Sequence, residues 1–305
     1  MLYSIMTRLI LLILFVLNCI NVTIAQQFMN LPPELRKTYE LSNEAELLIF
    51  KKKHKDALIK LKSIDVLNIN KYRNHLLKLK CYHGLNDTEN IIRTTQTIIE
   101  KYGVRMSFIN NDLRNDTVDF NSIQSLINED SCYLTFVSKH INDRDLFNIE
   151  HVFFNDLFFR NQINSINDNL KQNYMLAKQY DSAFARPVLI DLIEKYHFPD
   201  ENDVGQYTMS LFYFLLRHNN IEKQILDSAL KSGKVSPFEY ASLTDYLFNW
   251  SYNETSSNLE PLDNYGTILK KTVSNTFVII KIDNIKQVDK RRAAIGLPPL
   301  WQTAL

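Results

Sequence analysis

Residues able to do acid–base chemistry lie in the second half of the chain. His218 follows the apolar run LFYFLLR, and the unperturbed pKa of a histidine lies near neutrality, where a general acid or base works best. Asp245 and Asp156 are the carboxylates expected to orient it. Together these three residues predict the catalytic group of a hydrolase-like enzyme. The alternative is that His218 only interacts with the negative end of its helix dipole.

Two pairs of acid and arginine have helical spacing. Asp156 precedes Arg160 by four residues and Asp289 precedes Arg292 by three, so each pair shares one helix face. An isolated helical ion pair contributes only about 0.3–0.5 kcal/mol, and this is the simpler interpretation. The first pair lies among phenylalanines, where an unpaired charge is costly to bury. Arg160, Asp289 and Arg292 are therefore candidate binding residues.

Helices are the elements that must position these side chains. The helical spacing of apolar residues predicts a mostly α fold. An array of helical hairpins is expected over residues 26–119, followed by a helical domain over residues 120–305. The polar stretch before residue 119 marks the connection between them.

Four local patterns refine this prediction in the second region. Short helices are expected at 121–128, and one continuous helix is expected from Val204 to His218. The β-branched run TFVIIKI predicts a strand, with Tyr265–Leu269 as its partner in a small C-terminal β-hairpin. A last helix is expected from Ile285 to Ile295, because glycine and proline follow it.

The N-terminus has the pattern of an export signal. Arg8 is the one charge before an apolar run, and Ala25 is a small residue at a plausible cleavage point. The run is too short to cross a bilayer comfortably, although a retained anchor is the alternative. Residues 1–25 are therefore predicted to be a signal peptide, which places the chain in the periplasm or cell envelope without a stable membrane span.

Charge, glycine and cysteine content limit the possible function classes. The formal net charge is +1, so attraction of the whole chain to nucleic acid is not expected. The glycines stand singly, which argues against a phosphate-binding loop, and no cofactor is predicted. His75, Cys81 and His83 do not share one helix face, which argues against a metal site. Cys81 and Cys132 form either a disulfide or two separate buried thiols.

Two features favour a binding partner. Basic residues outnumber acidic ones between Lys270 and Arg292, which indicates either an anionic envelope ligand or a solvated basic face. The helical-hairpin array favours contact with a protein or peptide.

The chain also resembles two known families. KKHKDALIKL and YHGLNDTENIIRTTQTIIEKYG resemble degenerate tetratricopeptide units, which implies paired helices. Residues 151–300 resemble the bacterial family catalogued as Domain of Unknown Function 6624, in the tail VDKRRAAIGLPPL, in NYGT, and in VG at Val204 and Gly205. Asp156 and Arg160 fit that family's early helix, and Asp245 fits its later acidic position. The resemblance in NYGT implies that Tyr265 and Thr267 are further candidate binding residues.

The resemblance has departures at polar positions. The family pattern places arginine after the later aspartate and glutamine on both sides of Tyr-Gly-Thr, where this chain has Tyr246, Asp263 and Ile268. The resemblance therefore implies a retained fold with an altered site. We expect an exported binding or interaction protein, and the alternative is a hydrolase-like enzyme using His218 with Asp245 or Asp156. Either hypothesis requires the candidate side chains to converge in one hollow of the second domain.

Overall fold

The structure is a computed structural model, and the residues that it describes are 31–67, 71–113, 125–140, 144–166, 170–219, 221–252, 265, 267, 269–271, 277–279 and 284–300. The predicted signal peptide at 1–25 and the predicted domain boundary at 119–120 both lie outside these residues. Within the ranges described, no helix combines the length and apolar character needed to cross a membrane.

The N-terminal region consists of helices packed against their neighbours in sequence. These helices are α1 (Pro33–Phe50), α2 (His54–Val66), α3 (Tyr72–Gly84), α4 (Thr88–Tyr102), α5 (Met106–Asp112) and α6 (Glu129–His140). α1 packs on α2, α3 packs on α4, and α6 closes against α4. Local chemistry sets their ends, since Asp87 caps α4 by accepting from the Asn90 amide and left-handed Gly103 ends it.

The second region is also mainly helical. Its elements are α7 (Arg144–Ile166), α8 (Leu170–Tyr180), a π-helical turn (Asp181–Ala185), α9 (Arg186–Tyr196), α10 (Glu201–Val204), α11 (Gln206–His218), α12 (Lys223–Lys231), α13 (Pro237–Tyr252), β1 (Leu269–Lys271), β2 (Phe277–Ile279) and α14 (Ile285–Ala294). α11 lies at the centre, packed on α7, α9 and α13. β1 and β2 pair in antiparallel register, with Lys270 opposite Val278. The predicted mostly α fold is confirmed.

Two local predictions need correction. The helix expected from Val204 to His218 is broken at Gly205, whose positive φ lies outside the helical region. Residues 125–128, expected to be helical, form a turn instead. The Asn128 side chain accepts from the Ser131 amide at 3.1 Å and so begins α6 after this turn.

Buried apolar side chains form separate clusters, and α1 belongs to two of them. Leu31 and Leu35 pack in the core of the second region, whereas Leu41 and Ala45 pack with α2 and α3. One helix therefore connects both regions.

The two cysteines are separate thiols. Cys81 and Cys132 are both free and buried, and they lie in different clusters. Of the two alternatives that the sequence left open, the structure therefore has separate buried thiols. Burial raises the pKa of Cys81 to about 12, so the thiol stays protonated and packs as a small apolar group.

The short helix α10 joins the two regions. Lys71 Nζ donates to Asp200 Oδ2 at 3.1 Å, and the Tyr72 amide donates to Glu201 Oε1 at 2.8 Å. Gly205 follows α10 with φ 81° and ψ 155°, a conformation that favours glycine. A Cβ atom there would lie 2.7 Å from Phe136 Cζ and 3.2 Å from the Tyr102 carbonyl oxygen.

Gly205→Ala is expected to loosen this junction. Backbone strain alone should lower the free energy of unfolding by about 1–3 kcal/mol, and the contact with Phe136 adds to it. Urea denaturation followed by circular dichroism measures the change. Ser210→Ala, on the exposed face of α11, is the control and should shift stability by less than about 0.5 kcal/mol. Equal stability of the two variants would contradict the prediction.

Candidate functional site

Arg160 joins two buried carboxylates in the second region. Its Nε donates to both oxygens of Asp156 at 2.8 and 2.9 Å, one helical turn earlier on α7. Its Nη2 donates to both oxygens of Asp181 at 2.7 and 2.8 Å. Asp156 is 0% exposed and Asp181 is also buried. The ion pair that the spacing of Asp156 and Arg160 indicates is therefore present, and Asp181 is a second acid bonded to the same arginine.

Asp181 stands at the start of the π-helical turn between α8 and α9. The Arg186 amide donates to the Asp181 carbonyl, one residue farther back than in an α-helix. Pro187 has no N–H for the carbonyl four residues earlier, and its ring crowds that carbonyl, which favours the wider turn. Pro187 was therefore a local signal of irregular geometry, although it does not show which side chain Asp181 would meet.

His218 lies near this ion-pair cluster at the end of α11. Its ring centroid is 4.9 Å from that of Phe214. Burial and, after it, the charge of Arg160 lower the pKa of His218 to about 4, against the opposing effect of Asp156. The imidazole is consequently neutral near pH 7, and its pKa is well below the range that suits a general acid or base at that pH. His218 and Asp156 are thus brought together, in an environment that favours an uncharged packed ring.

Asp245 has a different set of partners. It is 0% exposed, and it accepts from the amides of Tyr265 at 3.0 Å and Thr267 at 3.2 Å and from the Thr267 hydroxyl at 2.6 Å. One carboxylate from α13 therefore positions the backbone ahead of β1. Asp245 thus binds Tyr265 and Thr267 through their backbone amides and through the Thr267 hydroxyl.

Asp289 and Arg292 anchor the C-terminal tail. Arg292 Nε donates to the Pro298 carbonyl and Nη1 to the Tyr265 carbonyl, both at 2.7 Å. The Leu300 amide donates to Asp289 Oδ1 at 2.8 Å. Since Arg292 is only 1% exposed, its described contacts lie inside the fold. This gives VDKRRAAIGLPPL a structural purpose, because the helix and the tail after it bind each other.

The predicted site residues thus fall into two networks. Asp156, Arg160 and His218 lie together, and a second network links Asp245 to Arg292 through Tyr265. Neither of the two cavities described for this chain is lined by His218, Asp245 or Arg160. The catalytic and binding roles of these residues stay predictions.

A groove between the two regions is the larger of these cavities, with a volume of about 720 Å³. We call it the α1–α13 groove. The groove is lined by residues of α1, α3, α10 and the start of α13, together with the turn at 296–298. Its lining includes Tyr39, Glu46, Lys71, Arg73, Glu201 and Glu239, which the sequence did not single out.

Two of the groove carboxylates, Glu201 and Glu239, each use one oxygen for a hydrogen bond to the protein. Glu201 Oε1 accepts from the Tyr72 amide at 2.8 Å. Glu239 Oε2 accepts from the amide of Ser236 at 3.2 Å and from its hydroxyl, while the Glu239 amide donates back to Ser236 Oγ. This reciprocal arrangement is a capping box, which begins α13 and fixes the glutamate in place.

The field in the groove disfavours charge on these carboxylates. Burial and, after it, the nearby Glu201 carboxylate raise the pKa of Glu239 to about 7. Burial likewise raises the pKa of Glu201. The hydroxyl of Tyr39 is buried and has no hydrogen-bond partner among the described residues. Burial and, after it, both glutamates raise the pKa of Tyr39, so both carboxylates act electrostatically on its hydroxyl.

Local sequence signals mark parts of this groove without revealing it. Ser236 and Glu239 have capping-box spacing, and Asp200 with Asp203 forms a second capping box at α10. Each signal predicts where a helix begins, but not that Glu201 and Glu239 face one cavity. The chain matches no protein-family model, and searches of curated proteins and of solved structures found no significant match.

Proposed function

We propose that this chain is an exported binding protein that holds a short peptide segment in the α1–α13 groove. The groove itself carries the proposal. Its volume of about 720 Å³ lies in the range of ligand-binding clefts, about 300–1,000 Å³. A cleft of this size accommodates a few residues of a peptide but not a folded domain. Export rests on the N-terminal sequence pattern, with Arg8, its apolar run and Ala25.

Exposed aromatic side chains support a peptide ligand. Phe50 and Phe238 both line the groove and are 61% and 51% exposed. Phe50 lies at the end of α1 and Phe238 at the start of α13. Burying such rings against an extended segment is favourable, and the polar groups between them can fix its position. The resemblance of this region to tetratricopeptide units agrees with a peptide partner.

The described contacts give less support to the other hypotheses. A hydrolase using His218 with Asp245 or Asp156 would rely on an imidazole that burial keeps neutral and on an Asp245 carboxylate engaged by Tyr265 and Thr267. An anionic envelope ligand at the basic segment would have to bind without Arg292, because that side chain is buried. The positions to replace in testing that idea are therefore Lys290 and Arg291.

Replacement of a groove phenylalanine tests the proposal. Fluorescein-labelled pools of ten-residue peptides, one basic, one acidic and one uncharged, are titrated against the full chain and followed by anisotropy. Phe238→Ser should weaken the best-bound pool about tenfold, because a phenyl ring loses its burial. Phe158→Ser is the control, since Phe158 is 65% exposed on α7 and does not line the groove. Failure of every pool to bind, or an equal effect of both variants, would overturn the proposal.

A further inference from the structure

We propose that the α1–α13 groove selects ligands with a primary ammonium group, such as a lysine side chain, which binds between Glu201, Glu239 and the Tyr39 hydroxyl. This inference rests on the proposed function and adds the ligand class. The three acceptors lie on three elements, α10, α13 and α1, which packing brings to one cavity.

The two carboxylates are positioned before any ligand arrives. Each uses one oxygen for a hydrogen bond to the protein, Glu201 with Tyr72 and Glu239 with Ser236. The other oxygen of each has no hydrogen-bond partner within the described part of the chain. Because the side chains are already fixed, a ligand does not have to order them, and this lowers the cost of binding.

Among the residues that the structure describes, the basic side chains around the groove pair with acids other than Glu201 and Glu239. Lys71 pairs with Asp200 at 3.1 Å and Lys234 with Asp203 at 2.7 Å. Arg73 pairs with Glu46. Across the described ranges, no lysine or arginine nitrogen lies within 4.0 Å of Glu201 or Glu239. A ligand cation would supply the missing counter-charge, which a partly desolvated carboxylate strongly favours.

The Tyr39 hydroxyl points independently to a ligand. A buried hydroxyl without a partner is unfavourable, and such groups are uncommon in folded proteins. Tyr39 lines the groove, and its hydroxyl has no partner among the described residues. An ammonium group has three N–H donors. In the proposed complex, the Tyr39 hydroxyl oxygen and one oxygen from each glutamate accept these three hydrogen bonds.

Three blocked pentapeptides test the inference, and they differ only at the central residue. The probes are N-acetyl-Ala-Ala-Lys-Ala-Ala-amide and the same peptide with norleucine or arginine, each titrated by calorimetry against the full chain. The lysine peptide should bind at least about tenfold more tightly than the norleucine peptide, because charge-assisted hydrogen bonds are lost with the ammonium. Equal affinity for lysine and norleucine would overturn the inference, and equal affinity for lysine and arginine would overturn ammonium selectivity.

Variants separate recognition from folding. Glu239→Gln keeps the capping box, which accepts glutamine, and should weaken the lysine peptide about tenfold. Tyr39→Phe removes only the hydroxyl, which has no partner in the described ranges, so it should weaken the lysine peptide several-fold without lowering the urea midpoint. Glu222→Gln, at an exposed glutamate outside the groove, is the matched control and should change neither. Wild-type affinity in both groove variants would overturn the inference.

The pH dependence provides a further readout. The groups acting on Glu239 are Glu201, Lys71 and Arg73 together with the Ser236 amide, and its pKa is about 7. Affinity for the lysine peptide should therefore rise as the pH increases through 7, since Glu239 then loses its proton, and Glu239→Gln should flatten this rise. If lysine and norleucine peptides bind equally while Phe238→Ser still weakens the pools, groove binding stands and ammonium selection falls. If the pools do not bind, the proposed function itself falls.

Discussion

Arg160→Met is expected to lower the free energy of unfolding by about 3–5 kcal/mol, because it leaves two buried carboxylates without their counter-charge. Asp156 and Asp181 both bond to this guanidinium at 2.7–2.9 Å. Burial already raises the pKa of Asp181 to about 6 in the folded protein, and losing Arg160, which lowers it, will raise it further. The folded variant then binds more protons than the unfolded chain, so its deficit should be largest near pH 7 and shrink as the pH falls toward 4. Urea denaturation at several pH values measures this.

Two further variants show whether uncompensated charge is the cause. Arg217→Met makes the same side-chain change at an exposed position of α11, where the arginine contacts only the Ser242 hydroxyl among the partners described. It should change stability by less than about 0.5 kcal/mol. Adding Asp181→Asn to Arg160→Met removes one of the stranded charges and should recover part of the loss. A double variant as unstable as Arg160→Met at pH 7 would argue that lost packing, and not charge, is responsible.

Arg292→Met is expected to lower the free energy of unfolding by about 3 kcal/mol, because the carbonyls of Tyr265 and Pro298 lose their donors inside the fold. Methionine fills much of the same space, so most of the change reports the hydrogen bonds. Amide exchange provides a local measurement. The Leu300 amide, held by Asp289, should exchange faster once the tail is released.

The control for this prediction lies on the same helix. Lys286→Met removes an exposed cation from α14 and should leave both stability and Leu300 exchange unchanged. Arg292→Lys keeps the charge but has one nitrogen in place of the guanidinium fork, so it should restore only part of the stability. Full stability in Arg292→Met would show that the tail is held by apolar packing alone.

The candidate catalytic and binding residues show how much a local sequence pattern can predict. Asp156 and Arg160 do form an ion pair, because residues four apart on a helix are neighbours wherever that helix lies. Their burial and their second acid, Asp181, depend on a π-helical turn from a later part of the chain. Asp245 and Arg292 look equally functional in sequence, yet their described partners are loop and tail backbone.

The residues of the α1–α13 groove, in contrast, carry no local pattern that marks them as a site. Glu201 and Glu239 stand in ordinary helix-start patterns, and Tyr39 lies on an amphipathic helix with no motif around it. Their interest comes from what lies near them after folding, namely each other and a cavity of about 720 Å³. No spacing rule relates positions in three separate elements.

By itself the sequence determined the helical character of the chain and the caps at several helix ends, because these depend on side chains a few residues apart. It also carries the export pattern at residues 1–25, which lies outside the described structure. Only the tertiary structure decided the break at Gly205, the separate burial of Cys81 and Cys132, and the meeting of Glu201, Glu239 and Tyr39. The burial of these side chains, the pairing of nearby charges and the lack of a described partner for the Tyr39 hydroxyl all depend on contacts between distant segments. These contacts exist only once the helices have packed.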